Sequence, residues 1–580
     1  MFRLYHKLKI HSNNPRIDAI SPYDIIKSDT MLKIKHQKKA PLVPPISISA
    51  LFSLSCFRHN DDIVVDQKDQ TFTRREMKKD RKTMVKTLLQ LGVKSGDILT
   101  VASGRPVYEN IVFFLAANQI GAAVAFFDES TPRDTLIHYL DEFKSPVLVT
   151  FEKTRGKLKN YKKDAKAVKN VINFDGTSTM DGASIGKTSI TKIAEKYKGH
   201  LPHNTFSANK VALVTFTSGS TSGPKPLTFT NKALVAGAIY NKAASGVKMW
   251  DKKIHSWMQF VKLNYPYGFW VSTMSPILGG GKVILTPDIN STNFDYYFSK
   301  KPDTVFGVPA LVEQLEKYLS PEIDLSSIKM FASGGERLDP EVANRLMDLL
   351  RNHESHAVIC NGYGLGEVLG LISTSVGQTY HPGTVGKIPA GVNVMIVDPE
   401  TGEELDFGHA GIIYVNGKHM LKEYYNRPEI NENKFTTIKG KRYLITGDIA
   451  SVSPTGFVTL VGRSIFFINN IPAKVYYEYV RGAVMRSELI KTCQIVKGPD
   501  KKYEQAAYAF VVLKDGIPKN NATRRAIAKT AAEPYRIGHD HIILKPSEIP
   551  RKIIFMDQLP LTKADKVDFR KLERMAKEIA

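Results

Sequence analysis

From about residue 60 onward, short apolar runs of strand length alternate with longer segments of helical period, and this alternation constrains the fold more than any other feature. Asp62 to Asp66 reads as a strand, Thr73 to Leu91 as an amphipathic helix closed by Gly92, and Ile98 to Ala102 as a strand. Val107 to Gln119 follows as a helix and Ala122 to Phe127 as another strand. Strands and helices in such alternation stack as α/β layers around a mostly parallel sheet. The pattern returns after Lys210, with Val211 to Phe216, Lys282 to Leu285, Thr304 to Val308, Lys329 to Ala332 and Ala357 to Ile359 as buried strands. A chain of 580 residues exceeds what one hydrophobic core can organise, so two or three domains are expected.

The character changes between about 375 and 465. Val394 to Val397, Ile412 to Val415 and Phe457 to Val461 are short strands between close Gly, Pro and Asp turns, which suggests a small β-barrel-like subdomain. Beyond Arg463 lies a compact α+β segment that ends in a helix from Asp568. The expected organisation is a basic N-terminal extension over 1–55 and a large domain over 56–463. That domain would hold two α/β layered subdomains and the β-barrel-like one, followed by a small mobile α+β C-terminal domain over 464–580. The stretch from Glu152 to Lys198, rich in Lys, Ser, Thr and Gly, reads as loop-heavy.

Two apolar stretches fail as membrane spans. Ile111 to Phe127 contains Asn118, Gln119 and Gly121 and is shorter than the roughly 20 residues a spanning helix needs, and Pro41 to Cys56 is broken by prolines and serines. Cys56, Cys360 and Cys493 are far apart and form no CxxC pair, which favours a reducing compartment and a cytoplasmic location. Against 57 acidic residues stand 81 basic ones, a net charge of +24 that should attract anions. The basic residues are scattered along the whole chain, so nucleic acid, suggested by charge alone, is not the expected partner. Peripheral attachment to anionic lipid through the basic residues 1–55 is a separate expectation.

The most informative segment is Thr217-Ser218-Gly219-Ser220-Thr221-Ser222-Gly223-Pro224-Lys225, which follows directly on the strand ending at Phe216. Glycines let a backbone curl so that several N–H groups face one anion, and hydroxyls and a lysine aim at the same target. This is a triphosphate cradle. It departs from G-x-x-x-x-G-K-[ST], because Pro224 and Pro226 flank Lys225.

Four later motifs accompany it in order. Asn361-Gly362-Tyr363-Gly364-Leu365-Gly366-Glu367 resembles a Tyr-Gly-x-Thr-Glu segment, and Tyr443-Leu444-Ile445-Thr446-Gly447-Asp448 a Thr-Gly-Asp. Gly462-Arg463 is similar to a Gly-Arg pair, and Pro560-Leu561-Thr562-Lys563-Ala564-Asp565-Lys566 to a Pro-x-Thr-x-x-Gly-Lys. With the loop, these resemble the adenylate-forming superfamily of acyl-CoA synthetases, luciferases and nonribosomal-peptide adenylation domains, from about residue 60 to the C-terminus.

The resemblance implies that a carboxylate attacks the α-phosphorus of ATP and leaves an acyl-AMP, with positioning and charge stabilisation doing most of the work. Thr217, Ser218, Gly219, Ser220, Thr221 and Lys225 would hold the departing phosphates, and Glu367 would ligate Mg²⁺. Gly334, Gly335 and Glu336 would recognise adenine through the backbone, with Tyr363 stacking on the base, and Asn361 and Gly364 would be further nucleotide-binding residues. Asp448 and Arg463 would meet the ribose. Lys566 would be the catalytic cation brought by the small domain, and Lys474 a second phosphate contact. Tyr265, Tyr267, Trp270 and Gly279, Gly280 and Gly281 are candidates for the pocket of a small-molecule carboxylic acid, a fatty or other apolar acid. Coenzyme A is the expected acceptor. An acyl carrier protein, or a member that binds ATP or an acyl-adenylate with little thiol transfer, are the alternatives. Departures concentrate at Gly366, Asp565 and the hinge, where Ile465 and Pro472 replace an acidic residue and a glycine; the adenylation motifs therefore match better than those of thiol transfer.

Overall fold

The computed structural model describes residues 39–156, 164–175, 182–203, 207–217, 224–245, 255–375, 381, 383–399, 401–463, 467–470, 473–502, 504–537, 540–561 and 567–579. Among them, two large sheets form the body of the molecule. One has eight strands, and its interior runs through Val358–Tyr363, Met330–Ser333, Thr304–Gly307, Ser256–Gln259, Lys282–Leu285 and Ile63–Gln67, all parallel. The other has nine, with Val211–Phe216, Ala123–Phe126, Ile98–Val101, Val147–Thr150 and Asn170–Asn173 parallel in its interior.

Ile98–Val101, Ala123–Phe126 and Val147–Thr150 are buried at every position. Such strands have both faces covered, which is why they read as unbroken apolar runs. The helix Tyr108–Ile120 is buried on almost every side and stops at Gly121, whose φ of 90° is left-handed. The apolar stretch Ile111 to Phe127 is thus a core helix and a core strand. No helix among the described residues is long and apolar enough to cross a membrane.

A third sheet is antiparallel and five-stranded, built around the long strand Lys441–Val452 with Gly411–Gly417, Val392–Val397, Phe435–Ile438 and Val458–Arg463. The small C-terminal domain has its own sheet, in which Glu504–Leu513 pairs with Ile490–Asp500 and, in parallel, with Lys552–Met556. Helices Tyr477–Val484, Asn521–Ala532 and Phe569–Ile579 pack on it around a separate core containing Ile495, Phe510, Ile527 and Leu572. Where it meets the large domain, Arg481 forks onto Asp339, with 3.2 Å to Oδ1 and 2.7 Å to Oδ2, and also donates to the Cys493 carbonyl.

One reading is corrected. Residues 48–55 belong to a helix, Ile48–His59, that crosses the expected boundary at 55/56, and Ile48, Leu51 and Phe52 are buried in the core of the large domain. A buried amide network anchors it: the Ile48 N–H donates to Asn231 at 3.1 Å and the Ser49 N–H to Asn118 at 2.9 Å. Within the loop-heavy stretch 152–198, Asn170–Asn173 adds a strand to the nine-stranded sheet and Ile190–Lys196 is a helix capped by Ser189. Short elements of this kind hold too few residues to show a period.

Candidate functional site

A cleft of about 620 Å³ opens at the carboxyl ends of strands from both large sheets. In open α/β sheets this is where ligands bind. One end of it is polar. Val211–Phe216 delivers Thr217 there, and the antiparallel strand Pro226–Thr230 leaves it from Lys225. The Thr217 N–H donates to the Lys225 carbonyl at 3.0 Å and the Lys225 N–H to Thr217 Oγ1 at 3.1 Å. These two bonds pair the residues on either side of the glycine- and hydroxyl-rich segment 218–223. Ser218, Gly219, Ser220 and Thr221 themselves lie outside the described residues, as do Ile465, Pro472 and Lys566. Lys474 falls on the strand Ala473–Tyr476.

Met330–Ser333 and Val358–Tyr363 bring Gly334, Gly335, Glu336, Asn361 and Gly364 to the cleft wall. Gly335 has φ +83°, which only glycine adopts without strain. Asn361 is held at both ends of its amide, by Ser375 Oγ at 2.8 Å and the Thr384 carbonyl at 3.0 Å. Glu367 also lines the cleft and accepts from the Tyr424 hydroxyl at 2.7 Å. Burial and then the Glu367 charge push the Tyr424 phenol far up, so it stays a donor.

Arg463 lines the cleft with its Nε 2.9 Å from Asp448 Oδ1, and Asp448 Oδ2 accepts from the Tyr363 hydroxyl at 2.6 Å. Burial raises the Asp448 carboxyl, while the Arg463 charge and the Tyr363 hydrogen bond oppose it. The Tyr363 ring, for which stacking on a base was expected, is packed in the core beside Val368 and Ile372 and is absent from the cleft wall; it holds Asp448 from behind.

Beyond Gly334 the cleft continues between Tyr265, Tyr267, Phe306 and Trp257. The Tyr267 hydroxyl reaches the carbonyls of Gly307 and Ala332, each at 3.1 Å. Trp270 does not line it; this ring is fully buried against Phe114 and Phe269, where a core takes the largest apolar surface on offer. The glycines 279–281 stand behind the wall and act through space they leave empty. A Cβ on Gly279 would lie 3.0 Å from Lys242 Cε, and one on Gly281 2.8 Å from the Trp257 indole nitrogen.

Four cleft residues carry no motif and escaped the sequence reading: Tyr424, Lys434, Lys242 and Trp257. Lys434 ends the helix Pro428–Lys434, and its ammonium lies 3.5 Å from the Ile445 carbonyl oxygen. Burial lowers its pKa, Glu367 and Asp448 act to raise it, and Arg463 and Lys225 add to the lowering. These are the groups of the polar end, so Lys434 belongs to it. Among the described residues no cluster of three or more His, Cys, Asp or Glu side chains could cage a metal. A lone hard carboxylate such as Glu367 fits a Mg²⁺ that arrives with phosphate oxygens.

Residues 52–425 match the family model described as AMP-binding enzyme, and 482–566 the AMP-binding enzyme C-terminal domain. Probable CoA ligase CCL5 from Humulus lupulus is 23% identical over 499 residues, covering 84% of this chain and 85% of that protein. Luciferin 4-monooxygenase from Photuris pensylvanica is 24% identical over 505 residues, covering 85% of this chain and 87% of its own length. The crystal structure of the anthranilate CoA ligase AuaEII in complex with anthranoyl-AMP shares the fold, with a TM-score of 0.77 at 18% identity, covering 93% of this chain and 98% of that one.

Proposed function

The chain belongs to the AMP-binding enzyme family, and from that premise we propose that it activates a carboxylic acid with ATP and passes the acyl group to the thiol of coenzyme A. One observation carries the reading: a single cleft gathers Thr217 and Lys225, the Gly334–Glu336 bend, Glu367 and Arg463. A carboxylate oxygen of the acid bonds to the α-phosphorus while the bond to the β-phosphate oxygen breaks, releasing pyrophosphate and forming an acyl-adenylate. A thiol sulfur then bonds to the acyl carbon, and AMP leaves.

Lys225, Thr217 and the loop Ser218 to Thr221 hold the departing phosphates. Lys434 adds a cation at the same end. Glu367, oriented by Tyr424, would hold Mg²⁺, which neutralises phosphate charge when bound. Gly334, Gly335, Glu336, Asn361 and Gly364 receive the adenine, and the Asp448–Arg463 pair the ribose. Lys566, with Lys474 as a second contact, stabilises charge that develops at the α-phosphate. The acceptor is assigned to coenzyme A on the likeness to CoA ligases, with a carrier-protein pantetheine arm as the alternative.

The test is acid-dependent exchange of pyrophosphate into ATP, across short, medium, long and aromatic acids. Exchange with one class supports the reading and names it. Its absence with every acid, in a protein that binds ATP, overturns it.

A further inference from the structure

The acid-binding part of the cleft does not end on apolar groups. Starting beside Gly334, the Tyr267 ring stands edge-on to Phe306 at 6.1 Å and 84°. Phe306 stacks on Trp257 at 5.5 Å and 12°, and the Lys242 ammonium lies 5.3 Å from the centroid of the Trp257 ring. All four side chains line the cleft. Their order makes a ladder that leads away from the phosphate end and finishes on a cation. Lys242 is 4% exposed, at the C-terminal end of the helix Asn231–Ala244. Its neighbours at this end of the cleft include Asn241 and Ser275, whose amide nitrogen and hydroxyl are 3.4 Å apart.

The surrounding backbone is cut to admit this lysine. Its stem passes where a side chain on residue 279 would stand, and Gly279 leaves that room. The aromatic face of Trp257 supports the cation. An alkyl tail reaching this point would press against an ammonium and an amide, exchanging their polar surroundings for methylenes. A carboxylate reaching the same point would gain a charge-assisted hydrogen bond.

We propose that the acid taken by this cleft carries a second anionic group, of the carboxylate class, at the end remote from the carboxyl that is activated, and that Lys242 reads it. This rests on the activation chemistry proposed above and narrows the expectation of a fatty or plain apolar acid. The specificity element is the Lys242–Trp257 pair, and Gly279 and Gly281 are its enabling positions.

The test uses the full chain and sets of acids with one skeleton, aliphatic and aromatic, ending in methyl, carboxamide or carboxylate. Pyrophosphate exchange is expected to favour the carboxylate member over the methyl member by about tenfold or more in kcat/KM. Lys242→Met should abolish that preference, bringing exchange and binding of the carboxylate member down to those of the methyl member. Calorimetric binding of the same acids reads the preference without turnover. Diacid binding that depends on Lys242, in a chain that exchanges nothing, supports this inference and overturns the activation chemistry. A preference for the methyl member in both assays, or a preference for the carboxylate untouched by Lys242→Met in a variant that still binds ATP, overturns the inference.

Discussion

Glu367 reaches the cleft on a short turn, and its position depends on a residue 57 positions later: the Tyr424 hydroxyl that donates to it. Tyr424→Phe removes that donor and keeps the ring. We expect about a tenfold fall in kcat/KM for exchange, a higher Mg²⁺ requirement and little change in thermal stability. An unaltered Mg²⁺ titration would show that the pair is structural. Lys434→Met is expected to raise the KM for ATP about tenfold with a smaller effect on kcat, because in the proposed reading the cation would meet the phosphates before and during the reaction. A KM equal to the parent's would remove Lys434 from the phosphate end. His419 gives a pH signature. Fully buried, with Nε2 donating to the Leu371 carbonyl at 2.8 Å, its imidazole is lowered by burial from 6.5 to about 4. The unfolded chain therefore takes the proton first: the stability it contributes is present above pH 6.5 and is lost as pH falls toward 4. The loss should be on the order of 2 kcal/mol in urea titrations between pH 7 and 4.5, and smaller in His419→Gln.

At the scale of elements, the helix Ile48–His59 extends the large core further toward the N-terminus than its sequence suggests. Phe52 is 0% exposed, so Phe52→Ala should cost about 3–5 kcal/mol in unfolding free energy. A cost near zero in the urea midpoint would mean that the folded unit begins at residue 56. This helix was hard to read because Ser49, Ser53 and Ser55 interrupt its apolar stripe, each serine spending its hydroxyl on a local carbonyl or on Arg81. The interior strands were legible for the opposite reason. Lys282–Leu285 and Thr304–Gly307 lie between parallel neighbours with both faces covered, so their runs are almost wholly apolar and their ends fall at polar or glycine residues. The site divides in the same way. Thr217, Lys225, Glu367 and Arg463 sit in short motifs where glycine, hydroxyl and charge cluster in sequence. Trp257, Lys242 and Lys434 reach the cleft from the end of a strand or helix whose local pattern serves packing, so no spacing announces them.

For the molecule as a whole, the fork of Arg481 on Asp339 ties the small domain to the large one. Burial acts to raise the Asp339 carboxyl, and the Arg481 charge and hydrogen bonds more than offset this, holding it below the usual range. Asp339→Asn keeps the shape and removes the charge. We expect it to weaken the joint by about 1–3 kcal/mol, seen as faster proteolytic separation of the two domains with the melting of the large domain unchanged. Equal cleavage rates in variant and parent would show that other contacts hold the domains together.

Asp339 stands three residues after Glu336, which lines the cleft, and immediately precedes the helix Pro340–Asn352. The joint and the ligand therefore share one short piece of backbone. Thermodynamic reciprocity then applies: if filling the cleft shifts that backbone and changes the affinity of the domains for each other, loosening the joint must change the affinity for the nucleotide by the same factor. The Asp339→Asn chain thus becomes a gauge, since its nucleotide dissociation constant relative to the parent's measures how strongly an occupied cleft instructs the small domain.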